Sequence, residues 1–275
     1  MDAAELCPAT NGAGREPAEP PVVLSFDPAY ARLAGSPTLK WIMRTVYGAE
    51  YPEEAHPFGF VTVSELRRIA EALGLGPGQR FVDLGCGEGG LSLCVARVTG
   101  AAVLGIDTSG LAINLAGAEA QRLGLAQQAE FRLADAMDTG LPAESFDGAM
   151  STDALQLMPN PAVAVAEVAR LLRPGGVFAF TTWCISEPFD GRARVHDYRP
   201  LLEAAGFVVE GYEEPQGWRE RQLAVFRLMC EHAGVLEVEL GPELWPFLMR
   251  EARERPGQLG GMRRVLVSAR RTAWR

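Results

Sequence analysis

Three aspartates, Asp83, Asp107 and Asp135, each stand at or near the end of a short apolar run, and the first is followed by glycines. In Phe81 to Gly90, Phe81, Val82 and Leu84 suit a buried parallel strand, and Gly85, Gly87 and Gly89 let the backbone turn sharply against a ligand. Leu91 to Arg97 then reads as a helix whose first amides face that ligand. Gly85, Gly87 and Gly90 also satisfy the G-x-G-x-x-G of nicotinamide and flavin enzymes. Asp83 separates the two readings. A carboxylate two residues before the first glycine suits a ligand with a cationic amine, where a dinucleotide strand usually stays apolar.

The second anchor, Asp107, ends the run Ala102 to Ile106 about 20 residues beyond the loop, where a carboxylate accepts from both hydroxyls of a ribose. The competing reading is a cap on the helix Leu111 to Leu123, but Thr108 and Ser109 already offer caps. From about Asp27 to Thr272, and most closely from Phe81 to Trp183, the chain resembles the class I S-adenosylmethionine-dependent methyltransferases. Within them it is similar to small-molecule enzymes of the ubiquinone-biosynthesis-like branch, which includes bacterial enzymes of specialised metabolism.

The resemblance implies S-adenosylmethionine as cofactor, with Asp83 on the methionine amine, Gly85 and Gly87 in the turn, and Asp107 with Thr108 at the ribose. Asp135 would accept from the adenine amine, the Ala136 amide would face a ring nitrogen, and Met137 would pack on the ring, leaving Asp138 in solvent. Tyr30 would reach the cofactor carboxylate, against the alternative of an aromatic anchor. Ser151 to Met158 would pass the methyl group, with Ser151 on the cofactor side. Related enzymes often carry histidine in that segment; here stands Gln156, which orients a substrate but takes no proton. Asp153 reads as a helix cap. Of His56, His196 and His232, His56 in the turn before Pro57 is the best candidate for a base.

The implied reaction moves the methyl group to a small apolar or aromatic acceptor through carbon, oxygen or nitrogen. Two alternatives stand beside it: a cyclase or rearrangement enzyme that keeps the cofactor structurally, and a non-catalytic cofactor-binding module.

With 275 residues, 48% of them hydrophobic, the chain buries a substantial core and an accessory subdomain. A net charge of -9 argues against a nucleic-acid partner, whose phosphates need clustered positive charge; Arg263, Arg264, Arg270, Arg271 and Arg275 do cluster late and read as solvated ends of the final strand. Five cysteines, Cys7, Cys86, Cys94, Cys184 and Cys230, show no C-x-x-C spacing, so neither a zinc site nor a disulfide framework is indicated. No run reaches the roughly 18 apolar residues of a membrane helix, and a reducing cytoplasm is expected.

The expected fold is a Rossmann-like, doubly wound, seven-stranded, mostly parallel sheet with the last strand antiparallel. Residues 1–25 read as a disordered tail, 26–75 as an N-terminal helical lid, 76–217 as the methyltransferase core, 218–262 as a helical cap insertion, and 263–275 as the last strand and C-terminus. Strands are expected at 81–84, 102–106, 130–134, 146–152, 177–182, 207–213 and 263–271. In the cap, Leu223, Phe226 and Cys230 form one apolar stripe and Val225, Leu228 and Met229 another, as for a helix covered on two sides by an apolar ligand, a core or an identical chain.

Overall fold

The computed structural model describes residue 30 and residues 32–33, 35–55, 59–185 and 195–272. The expected tail and His56 lie outside these residues. The chain divides into two compact units: residues 1–51 with 216–262, and residues 52–215 with 263–275.

The second unit holds the sheet. Its strands are β1 (Arg80–Leu84), β2 (Ala102–Asp107), β3 (Ala129–Leu133), β4 (Phe146–Thr152), β5 (Leu172–Ile185), β6 (Phe207–Glu213) and β7 (Met262–Arg271). They lie in the order β3-β2-β1-β4-β5-β7-β6, with β7 antiparallel to β6. This is the seven-stranded fold expected. The strand after Pro174-Gly175-Gly176 is longer than its apolar run, because β5 begins at Leu172 and pairs with Phe146 across a bulge.

Alternation along the strands sends side chains to two faces. Val82, Leu84, Leu104, Ile106, Phe178 and Phe180 join one buried cluster, and Phe81, Val103, Met150, Ala179 and Leu266 the other. The second cluster takes in Leu66, Ile69, Ala70 and Leu73 of α2 (Val63–Leu73) and Leu91 and Val95 of α3 (Gly90–Thr99). α2 was expected with the lid. Its apolar face instead packs on the sheet, and it groups with the core. Thr62 caps it in a reciprocal box with Glu65. On the other face, Val165, Val168 and Leu171 of α5 (Pro161–Leu171) cover the strands, with Asn160 as cap and Pro161 at the first position.

The first unit contains α1 (Pro37–Tyr47), and two later helices, Trp218–Glu231 and Ala233–Gln258. Glu239 accepts from Thr38 N (3.2 Å), Thr38 Oγ1 (2.7 Å) and Ser36 Oγ (2.5 Å), and so joins the long helix to the amino end of α1. In Trp218–Glu231 the buried side chains are Trp218, Gln222, Val225, Phe226 and Met229, a single stripe at i, i+4, i+7, i+8 and i+11. The expected two stripes are corrected to one, because Leu223, Leu228 and Cys230 are only partly buried. The helix Ala233–Gln258 is broken at Gly241, whose φ of 71° and ψ of 176° are essentially open only to glycine.

Candidate functional site

Asp83 shares the face of Phe81, so it turns toward α3 rather than into the cluster around Val82 and Leu84. It is fully buried, and Ser92 Oγ of α3 donates to its Oδ2 at 2.5 Å. Oδ1 has no hydrogen-bond partner among the described residues. Burial pushes its pKa up to about 7; the Ser92 bond opposes this rise and the Asp107 charge adds to it.

The turn after β1 is tied to the end of β2, since the Gly85 and Cys86 amides both donate to the Ile106 carbonyl (2.9 and 3.0 Å). Gly85, Gly87 and Gly89 all have positive φ. Gly85 is obligatory for a second reason: a Cβ there would stand 2.5 Å from the Ala154 Cβ, so the turn after β4 packs directly on the glycine turn.

Asp107 accepts from Gly87 N through Oδ2 and from Ser109 N through Oδ1, both at 2.9 Å. The helix cap of α4 (Gly110–Arg122) is Ser109, whose side chain accepts from Ala112 N, so Asp107 is not the cap. Those two amides shape the loop, and Thr108 beside it is exposed. Asp135 is exposed and accepts from Met137 N at 2.8 Å, closing the turn that carries buried Ala136, partly buried Met137 and exposed Asp138.

Ser151 follows on β4. It is buried, and its Oγ donates to the Leu84 carbonyl at 2.8 Å, so its hydroxyl is used in joining β4 to β1. Gln156 is buried too: Nε2 donates to the Asp153 carbonyl and Oε1 accepts from Thr182 Oγ1 at 2.9 Å. Both ends of the amide brace the turn. Tyr30 lies buried in the first unit, whereas Asp83, Asp107 and Asp135 all belong to the second.

Sequence reasoning missed one group entirely. Asp153, with φ of 53°, is no helix cap. Its Oδ2 accepts from Phe60 N (2.9 Å), and its Oδ1 from Thr181 Oγ1 (2.9 Å) and Arg264 Nη1. Arg264, also fully buried, donates from Nε to Glu65 Oε1 at 3.0 Å and lies 5.5 Å from the Trp183 ring centre. Burial pulls the Arg264 pKa down, but Asp153 and Glu65 more than reverse it. The one signal was Arg264 itself, a charge in an apolar strand.

A buried carboxylate oxygen without a partner, beside a glycine turn open to close backbone approach, fits a cationic amine such as that of S-adenosylmethionine. Residues 82–180 match the methyltransferase domain family. The chain is 31% identical to a sterol 24-C-methyltransferase of Gibberella zeae over 65% of its own length and 48% of the relative's. To the 24-methylenesterol C-methyltransferase 2 of Oryza sativa it is 34% identical over 73% of this chain and 53% of that one. It thus spans about half the length of the curated relatives it matches. The crystal structure of the 4+2 cyclase SpnF superposes with a TM-score of 0.67 at 25% identity, covering 76% of this chain and 80% of that one.

Fold, glycine turn and acidic residues together define a class I methyltransferase. Residues 82–180 belong to the methyltransferase domain family, on the fold of the class I S-adenosylmethionine-dependent methyltransferases.

Proposed function

We propose that this chain transfers the methyl group of S-adenosylmethionine to a carbon atom of an apolar small-molecule acceptor. The observation that carries the donor half is the buried, unpaired Asp83 oxygen beside the glycine turn. The acceptor half is supported by the likeness to sterol C-methyltransferases over 182 residues. When bound, the cofactor supplies a methyl group already activated by its sulfonium charge.

The chain's residues then hold and align. Asp83 pairs with the amine, the Asp107 carboxylate with the ribose diol, and Asp135 to Met137 with the adenine. The turn Asp153 to Gln156, braced on both sides, fixes the wall beside the donor and excludes water. An alkene carbon brings its own electron pair to the methyl group, so a glutamine in that turn is no obstacle to the opening step.

The test is incubation with methyl-labelled cofactor and a panel of sterols, linear polyprenyl alcohols and phenols, followed by mass spectrometry of the organic extract. Label on carbon in a sterol or polyprenyl product is expected. Label appearing only on phenol oxygen would overturn the carbon assignment. A second reading, a cyclase that retains the cofactor structurally, is favoured by the likeness to SpnF. It predicts cofactor binding with no label in any product.

A further inference from the structure

We infer that Arg264 is a positioning residue for the cofactor turn, acting through Asp153 to seat Ala154 against Gly85. This rests on the reading that the glycine turn binds S-adenosylmethionine. Asp153 is one of two described non-glycine residues with positive φ, a conformation that is uncommon outside glycine, asparagine and aspartate. Something must hold it there, and its carboxylate is gripped from three directions: Phe60 N before α2, Thr181 Oγ1 on β5, and Arg264 Nη1 on β7. The grip is itself anchored, because Glu65, fixed in the α2 capping box, accepts from Arg264 Nε and Nη2 at 3.0 and 3.3 Å.

The next residue along, Ala154, is the one whose Cβ fills the space a Gly85 side chain would need. The clamped carboxylate and the contact on the cofactor turn therefore belong to consecutive residues. On the far side, Tyr198 OH lies 3.2 Å from Thr182 Oγ1, which donates to Gln156 Oε1 at 2.9 Å, and Gln156 donates to the Asp153 carbonyl. The turn is thus held at its first and last residues. Of the described groups that donate to the Asp153 carboxylate, Arg264 is the only charged one, and a buried charge that loses its partner cannot remain as it was.

The neutral pair Arg264→Met with Asp153→Asn separates positioning from bulk packing. Asparagine tolerates positive φ, keeps an oxygen that accepts from Phe60 N and turns its NH2 donor toward Thr181 Oγ1, while no unpaired carboxylate remains at position 153. S-adenosylhomocysteine is titrated calorimetrically into the full chain, well below every variant's melting temperature. Arg264→Met is expected to weaken binding roughly tenfold, with Arg264→Lys between it and the parent, and the double variant is expected to recover most of the loss. Affinity unchanged in Arg264→Met with only a lowered melting temperature would overturn the inference. So would a double variant no tighter than Arg264→Met. A parent chain that does not bind S-adenosylhomocysteine would overturn the cofactor reading itself, and the inference with it. Should Arg264→Met not fold, Arg264→Lys and the double variant decide by the same comparison.

Discussion

At Asp83 the unpaired oxygen and the raised pKa have one cause, burial without a full set of donors. A ligand ammonium pairs with the ionised form, so near neutral pH binding should release protons from this carboxyl group. Calorimetry in buffers of different ionisation enthalpy checks this: the apparent enthalpy should vary with the buffer, and a buffer-independent value contradicts it. The same shift bears on stability without ligand. The folded pKa lies above the unfolded one, so this group's contribution falls as pH rises from about 4 to about 7 and stays low beyond. Glu167, Asp197, Glu213 and Glu239, whose pKa values are lowered, lose their contributions only in the acid range. Between about pH 5.5 and pH 8 the Asp83 slope therefore stands apart. Asp83→Asn should flatten the melting temperature across this window and bind no S-adenosylhomocysteine. Asp107→Ala should weaken the cofactor by about 2 to 4 kcal/mol. It should also lower the melting temperature, because Asp107 holds the Gly87 and Ser109 amides. An unchanged melting curve would show those amides finding other partners.

Among elements, the turn between β1 and α3 is the tightest test of the geometry. Gly85→Ala adds a methyl group at φ of 73° within 2.5 Å of Ala154 Cβ. It should cost about 1 to 3 kcal/mol of stability, read by denaturant titration. Adding Ala154→Gly should return part of it, and no return would place the cost in backbone strain alone. This turn was legible in the sequence because its parts are neighbours: an apolar strand, three glycines and a helix within about 20 residues. α2 was legible for the same reason, through Leu66, Ile69, Ala70 and Leu73 at helical spacing. The Glu65, Asp153 and Arg264 group was not, since its members stand 199 and 111 positions apart and no local period joins them. For Ser151 and Gln156 the positions were legible but not the partners, because the Leu84 carbonyl and Thr182 that engage them lie on other strands.

For the whole molecule, sequence order suggested a lid from 26 to 75, whereas the chain leaves the first unit after Tyr51 and returns to it at Gln216. That division depends on which surface covers α2, a fact no linear reading contains. Net charge was legible, and with -9 spread over 275 residues the chain should pass unretained through heparin at about 0.1 M salt. Salt-dependent retention would reveal a basic patch. The strand order carries a further consequence, for the timing of synthesis. β7 is made after every other strand yet lies between β5 and β6. Until residue 271 has left the ribosome, β6 has no neighbour to pair with and β5 presents an open edge of hydrogen-bonding groups. For the time needed to translate the segment from Pro215 to Arg271, the nascent sheet is five strands wide and unsealed, and that interval is when chaperone capture has most to offer it.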